Sequence, residues 1–254
     1  MVKSIIILKK FIVISCIALL LFSCKQGINL GNRNYGNGNI ITQTRAENTN
    51  FEKIEVSSGI EVAIEQNDTK SITVEADDNL LQFISTKVEN GILIIQSKEG
   101  YNSTHTPKVT VKMPVISGLN SSGGSKISSL NTLITTNIKV ESSSGSEIDI
   151  AVEADVISIE SASGSSIKAR GKALKLETVT ASGSEIDAEQ LMANEVISQS
   201  SSGSTTTVSP ILILKADAAS GSSINYRGSP KTLEEKTSSG GSINKEQTVN
   251  ISRN

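Results

Sequence analysis

The chain has 254 residues, 37% hydrophobic, 20% charged and 3% aromatic, with a formal charge of −2, one His, two Cys and no Trp. That apolar content suffices for a real core in one large or two small domains. Two Cys exclude a disulfide scaffold or a Cys-rich zinc site, and one His argues against His-ligated metals and His-dependent triads. Without aromatic platforms or a basic surplus, nucleic acid is not an expected partner.

The first residues read as an address. Lys3, Lys9 and Lys10 precede an apolar run from Phe11 to Phe22, which ends in Leu21-Phe22-Ser23-Cys24. A basic start, a 12-residue apolar stretch and a small residue before Cys describe a secretory signal. The stretch falls short of the roughly 20 residues that a transmembrane helix needs. Leu21 to Cys24 resembles a bacterial lipobox, so residues 1–23 are expected to be a lipoprotein signal peptide and Cys24 the lipidated N-terminus. Cys16 then leaves with the signal, and the remaining charge is 21 − 26 = −5. Lys25 follows the Cys where an Asp would signal inner-membrane retention, so an outer-membrane anchor is expected. Residues 24–46 carry Asn29, Asn34, Asn37 and Asn39 among Gly27, Gly31, Gly36 and Gly38. With little to bury, they read as a flexible tether.

Residues 47–120 are strand-dense. Phe51, Ile54 and Val56, then Ile60, Val62 and Ile64, then Ile72 and Val74 alternate with polar residues, the period of half-buried strands. Asp77 and Asp78 are placed to cap a short helical turn carrying Leu80, Leu81 and Phe83. Asn90-Gly91 between two apolar runs signals a hairpin, because both turn residues need positive φ. A further strand carries Val109, Val111 and Met113 and stops at Pro114. His105 lies in the polar loop 102–107 without a nucleophile or metal-ligand set beside it, and reads as solvated.

Residues 121–250 repeat. Corner glycines stand at Gly124, Gly145, Gly164, Gly183, Gly203, Gly221 and Gly240, at intervals of 21, 19, 19, 20, 18 and 19 residues. Three residues after each come Ile127, Ile148, Ile167, Ile186, Thr206, Ile224 and Ile243, and the two positions before each are Ser, Ala or Gly. Such a period is the signature of a solenoid. Coils of two or three short strands would stack in parallel about 4.8 Å apart, with the Ile columns inward and Gly at the corner. The expected fold is therefore all-β, a parallel β-helix (β-solenoid) of right-handed winding with a strand-rich N-terminal section.

The outward columns are mixed. Asp149, Lys168 and Asp187 would stack with alternating sign, as surface pairing. Glu147 and Glu185, two rungs or about 9–10 Å apart, overlap the carboxylate spacing of inverting glycosidases. No aromatic subsite accompanies them, so a polysaccharide-binding or polysaccharide-degrading β-helix using Glu147, Asp149, Glu185 and Asp187 is the alternative reading. Calcium-binding nonapeptides and regular Thr columns are absent, and no catalytic, metal or cofactor-binding residue is expected.

Phe51-Glu52-Lys53-Ile54-Glu55-Val56 with Gly59-Ile60-Glu61-Val62, then Val88 to Ile95, then Val109 to Pro114, followed by the Ser-Gly-Ser coils, resemble the autotransporter-adhesin head GIN domain family over roughly 50–245. The resemblance implies a β-helical bacterial lipoprotein without catalytic residues and a role in adhesion. Gly59-Ile60-Glu61 stands where the family has Gly-Ile-Asn. The expectation is thus a non-catalytic, lipid-anchored envelope protein, facing the periplasm or the cell surface. Its partners would be the membrane, through its anchor, and a surface polysaccharide or envelope protein, without nucleic acid or cofactor.

Overall fold

The backbone enters left-handed geometry at every corner that the glycines mark. In a computed structural model that describes residues 34–46 and 49–246, each corner is two residues with positive φ. The first lies between 49° and 60° and the second, the column glycine, between 68° and 80°. The first is Gly123 at the opening corner and then Ser144, Ser163, Ser182, Ser202, Ser220 and Ser239. A non-glycine residue there costs on the order of 1 kcal/mol, so something in the surroundings must hold it.

In chain order the strands are β1 (Asn34–Tyr35), β2 (Ile40–Arg45), β3 (Lys53–Val56), β4 (Glu61–Gln66), β5 (Ser71–Asp77), β6 (Ile84–Glu89), β7 (Ile92–Ser97), β8 (Tyr101–Asn102) and β9 (Lys108–Met113). They continue with β10 (Gly118–Ser121), β11 (Lys126–Ser142), β12 (Glu147–Ser161), β13 (Ser166–Thr180), β14 (Glu185–Ser200), β15 (Thr205–Ala219), β16 (Ser223–Tyr226), β17 (Thr232–Ser238) and β18 (Ser242–Lys245). No helix occurs among the described residues. Asp77 to Phe83 forms turns rather than a helical turn capped by the carboxylates: the Asp77 carbonyl accepts from the amides of Leu80 and Leu81.

From β10 to β18 the chain is a parallel β-solenoid. Ile127, Ile148, Ile167, Ile186, Thr206, Ile224 and Ile243 lie directly over one another in register. All but Ile243 are fully buried. Each buried Ile contributes about 1.5–3 kcal/mol on leaving water.

The coils differ from the expected two or three short strands. Each of β11 to β15 is one strand of 15 to 17 residues. In β12, Ile148, Ile150 and Val152 face inward, and then Ile157, Ile159 and Ser161 do. The alternation changes parity across Glu153-Ala154-Asp155, so the chain bends outward there while Glu153 and Ala154 stay paired with Lys172 and Ala173. Such a bend needs no breaker residue and leaves no punctuation. Register shifts at or near the bend, between Ser128 and Thr132, Lys168 and Arg170, and Ala188 and Met192, absorb the variation in coil length. Gly171 sits here with φ +129°, its Cα against the Val152 carbonyl, where a Cβ would collide.

At the corner the backbone stays bonded. The amides of Gly145, Gly164 and Gly183 donate to the carbonyls of Ser163, Ser182 and Ser202 in the coil beyond. The serine after each corner glycine, Ser125, Ser146, Ser165, Ser184, Ser204 or Ser222, is buried. Ser165 Oγ lies 2.8 Å from the carbonyls of both Ser142 and Ala162, and accepts from the buried Ser161 hydroxyl at 2.9 Å. Ser146, Ser204 and Ser222 repeat the bond to the preceding coil at 2.6, 3.0 and 2.7 Å. Where Thr206 interrupts the Ile column, its hydroxyl meets Thr180 and Ser200 at 2.6 and 2.7 Å, so the core remains satisfied.

The sheet runs unbroken across residue 120, for β3 pairs with β10 and β4 with β11, and β7 and β9 lie on these in turn. Ser58-Gly59, with φ 73° and 71°, is therefore one more corner of the same stack. The β6–β7 hairpin turns at Asn90-Gly91 with φ 50° and 78°, as the sequence predicts. Antiparallel β2, β5 and β9 complete this end.

Residues 1–23, Cys24 and 24–33 lie outside the described residues, as do 247–250. The remainder of the expected tether is corrected: β1 pairs with β8 and β2 with β5. Polar bonds replace the missing apolar burial. Buried Asp77 accepts from the Gly38 amide at 2.6 Å and from the Ser103 hydroxyl. Asp78 takes the side-chain amides of Asn37 and Asn39, and Asn79 donates to the Tyr35 carbonyl at 2.8 Å. The Ser103 hydroxyl, ahead of the Gly38 amide, holds the Asp77 carboxyl below the usual carboxylate range.

Ser165→Ala is expected to cost about 1–3 kcal/mol by orphaning buried carbonyls, and Ile167→Ala about 2–5 kcal/mol. Outward-facing Ser166→Ala should stay within about 0.5 kcal/mol in denaturant titrations. Because the folded pKa of Asp77 lies below its unfolded value, its contribution is complete above about pH 4. That contribution fades as pH falls through the folded value. Amide exchange at residues 36–39 should accelerate over that acid range in the wild type, and already at neutral pH in Asp77→Ala.

Candidate ligand-binding surface

Outward side chains on the two flanks of each coil are largely spent on one another. On the flank after the corner, Lys126 bonds Glu147 at 2.9 Å, and that bond raises the Lys126 pKa. Asp149, Lys168 and Asp187 stack in register as predicted. Lys168 bonds Asp187 at 3.2 Å, whereas Asp149 turns to Arg170. On the other flank Lys139 sits between Glu141 and Glu160 at 2.8 and 3.1 Å, and Lys236 bonds Asp217 at 2.8 Å. These partly exposed pairs contribute little stability each; they fix register and neutralise the face.

The carboxylates of the alternative reading are thus placed but not assembled. Ser166 stands between Glu147 and Glu185 in the column. Three of the four acids, Glu147, Asp149 and Asp187, are already paired with cations. Among the described residues no three His, Cys, Asp or Glu side chains gather as a metal site. His105, part-exposed in its loop, meets Glu75 at 3.1 Å. Below this region the same face turns neutral: Thr205, Ser223 and Ser242 form one column and Thr207, Asn225 and Asn244 the next. Asn244 Nδ2 donates to Asn225 Oδ1 at 3.2 Å.

The outer bend is different. Leu130, Ile134, Leu174, Met192, Ile211 and Leu212 are exposed there, with Ile134, Leu174 and Met192 each more than half open to solvent. Ile134 aligns through Glu153 and Lys172 with Met192. Thr135, Ala154, Ala173, Ala193 and Pro210 form the adjoining column. Small residues between large ones leave a shallow groove of about 460 Å³, floored by Ala154 and Ala173 and walled by Ile134, Leu174, Met192 and Ile211. Glu153, paired with Lys172 at 3.0 Å, and Asp155 mark its polar margin. A cluster of exposed apolar side chains around one groove on a polar surface marks an interaction site.

This stripe is missed by counting from the corners. Ile134 and Leu174 stand ten residues after their glycines, Met192 nine and Ile211 eight, because the bend takes up the slack in coil length. Pairing inward residues on both sides of the parity change sets Ile134 in register with Met192.

The profile of a family described as "Putative auto-transporter adhesin, head GIN domain" matches residues 50–230. A crystal structure described as a putative adhesin from Bacteroides fragilis superposes with a TM-score of 0.76 at 21% identity, covering 84% of this chain and 99% of the other. One described as a putative lipid binding protein from Parabacteroides distasonis gives 0.69 at 21% identity, over 85% and 100%. A putative adhesin from the same organism gives 0.70 at 17% identity, again over 85% and 100%. At these identities the structures share the fold. No curated protein matches the chain.

Proposed function

Because the chain belongs to the head GIN domain family of auto-transporter adhesins, we propose that it is a non-catalytic adhesion protein of the cell envelope that binds through the apolar stripe on the outer bend. Family membership supports an adhesion or envelope role. The observation that carries the finer reading is the contrast between surfaces: the flanks are ion-paired or neutral, while Ile134, Leu174, Met192 and Ile211 stay exposed around one groove. Stacked coils suit this use, since β12, β13 and β14 are each paired with a strand on both sides and hold the groove between them. The partner is another cell's surface, a matrix polymer or another envelope protein with an apolar contact of its own.

The reading includes the address. Residues 1–23 act as a lipoprotein signal, and Cys24 carries the lipid that fixes the chain to the outer membrane. Two or more acyl chains make such an anchor firm, at roughly 0.8 kcal/mol per buried methylene. Polysaccharide binding is the second reading. It is favoured by the neutral grid of Thr205, Thr207, Ser223, Asn225, Ser242 and Asn244, whose hydroxyls and amides suit sugar hydroxyls, and it needs no cleavage chemistry.

Leu174→Asp/Met192→Asp should reduce binding of the purified chain to intact cells and envelope fractions at least tenfold. Its melting temperature should barely move, because both side chains are exposed. Unchanged binding would remove the stripe from the mechanism, and loss of binding on Thr207→Ala/Asn225→Ala instead would move the site to the neutral face. Cys24→Ser should abolish metabolic labelling by fatty acid and release the chain from the outer-membrane fraction; retention of both would overturn the anchor.

A further inference from the structure

Two inward columns change chemistry at the last coil. In the column five residues before each corner glycine, Leu119, Val140, Ile159, Thr178, Ser198 and Ala216 follow one another in register, and Ala216 pairs next with Glu235. In the column five residues after it, Ala188, Val208 and Tyr226 are buried in succession, and Tyr226 pairs next with Lys245. The six residues before Glu235 and the three before Lys245 are uncharged. The last coil is also the open one: among the described residues β17 pairs only with β15 and β18 only with β16. All of β17 is exposed, Leu233 included. The other end is covered by the β6–β7 hairpin and by antiparallel β2 and β5.

Such an end is a template for further strand pairing, since among the described residues no strand lies beyond Leu233 and Ile243. A second copy of this chain carries the matching surface, its own terminal coil. Tail-to-tail contact would bury two glutamates and two lysines. Even paired, buried charges generally cost more than apolar residues of similar size in the same place, and inward-pointing charge is a recognised way of blunting a sheet edge.

We propose that Glu235 and Lys245 close the stack, placing one charge in each of two uncharged inward columns and so keeping a second copy from adding its terminal coil to this end. The inward position of Glu235 follows from its pairing with buried Ala216. Tyr226, buried one rung above, has its phenol held protonated first by burial and then by the negative charge of Glu235. The Lys245 ammonium donates to the Ser229 hydroxyl at 2.9 Å.

The test is sedimentation of the full chain over a concentration series. Glu235→Val/Lys245→Val, which continues both columns, should associate at a concentration at least tenfold below that of the wild type, with slowed amide exchange in 232–238 on association. Glu234→Val, on the outward side of the same strand, should behave as wild type. Adding Thr237→Glu to the double variant returns a carboxylate to the neighbouring inward position and should restore the wild-type state. If Glu235→Val/Lys245→Val misfolds, Glu235→Ala, which copies Ala216, should still associate more readily than wild type. The proposal is overturned if the folded variants sediment as wild type does, if Glu234→Val associates equally, or if the wild type itself pairs through 232–238.

Discussion

The serine that follows five of the corner glycines, Gly145, Gly164, Gly183, Gly203 and Gly221, places a hydroxyl in the interior, where it bonds the carbonyl of the preceding coil, and the two left-handed residues beside it persist because that bond and the neighbouring amides hold them. A corner of a β-solenoid crowds backbone into a narrow, dry space. Large apolar side chains do not fit, and bare carbonyls there are costly. Ser146, Ser165, Ser184, Ser204 and Ser222 solve both problems with one small side chain that is bonded and buried. The Ile columns supply most of the favourable free energy, but their register depends on the corner repeating identically. This is why Ser recurs on the inside of a chain whose composition suggests a solvated, low-complexity surface.

From that constraint the surfaces follow. Each corner fixes where alternation starts, so the flanks present strict columns, and strict columns allow Lys126 with Glu147 or Lys168 with Asp187 to meet across rungs. The bend is the one place where coils of unequal length are reconciled, and side chains there are released from the column pattern. Apolar residues left outside at that point do not disturb the core and are free to be chosen for binding.

Much of the fold is legible in the sequence because stacking imposes identity at fixed distance from a glycine. The Ile column, the corners and the Asn90-Gly91 hairpin all follow from local chemistry that tertiary context does not override. The Gly59 corner is hidden because residues 61–113 intervene before its neighbour at Gly124, although Ser58-Gly59 carries the same signature. The buried serine column is hidden by composition, since Ser is expected at surfaces. The segment 34–45 is hidden because its stabilisation comes from Asp77, Asp78 and Asn79, some forty residues away, and no count of its own residues includes them. The apolar stripe is hidden by the variable spacing at the bend.

The fastening of Asn37 and Asn39 to Asp78, and of Gly38 to Asp77, also sets a distance. With an anchor at Cys24, only residues 25–33 separate the lipid from the first strand, and a chain of nine residues reaches at most about 30 Å. Under the anchor proposed above, β1 then begins within roughly one bilayer thickness of the lipid.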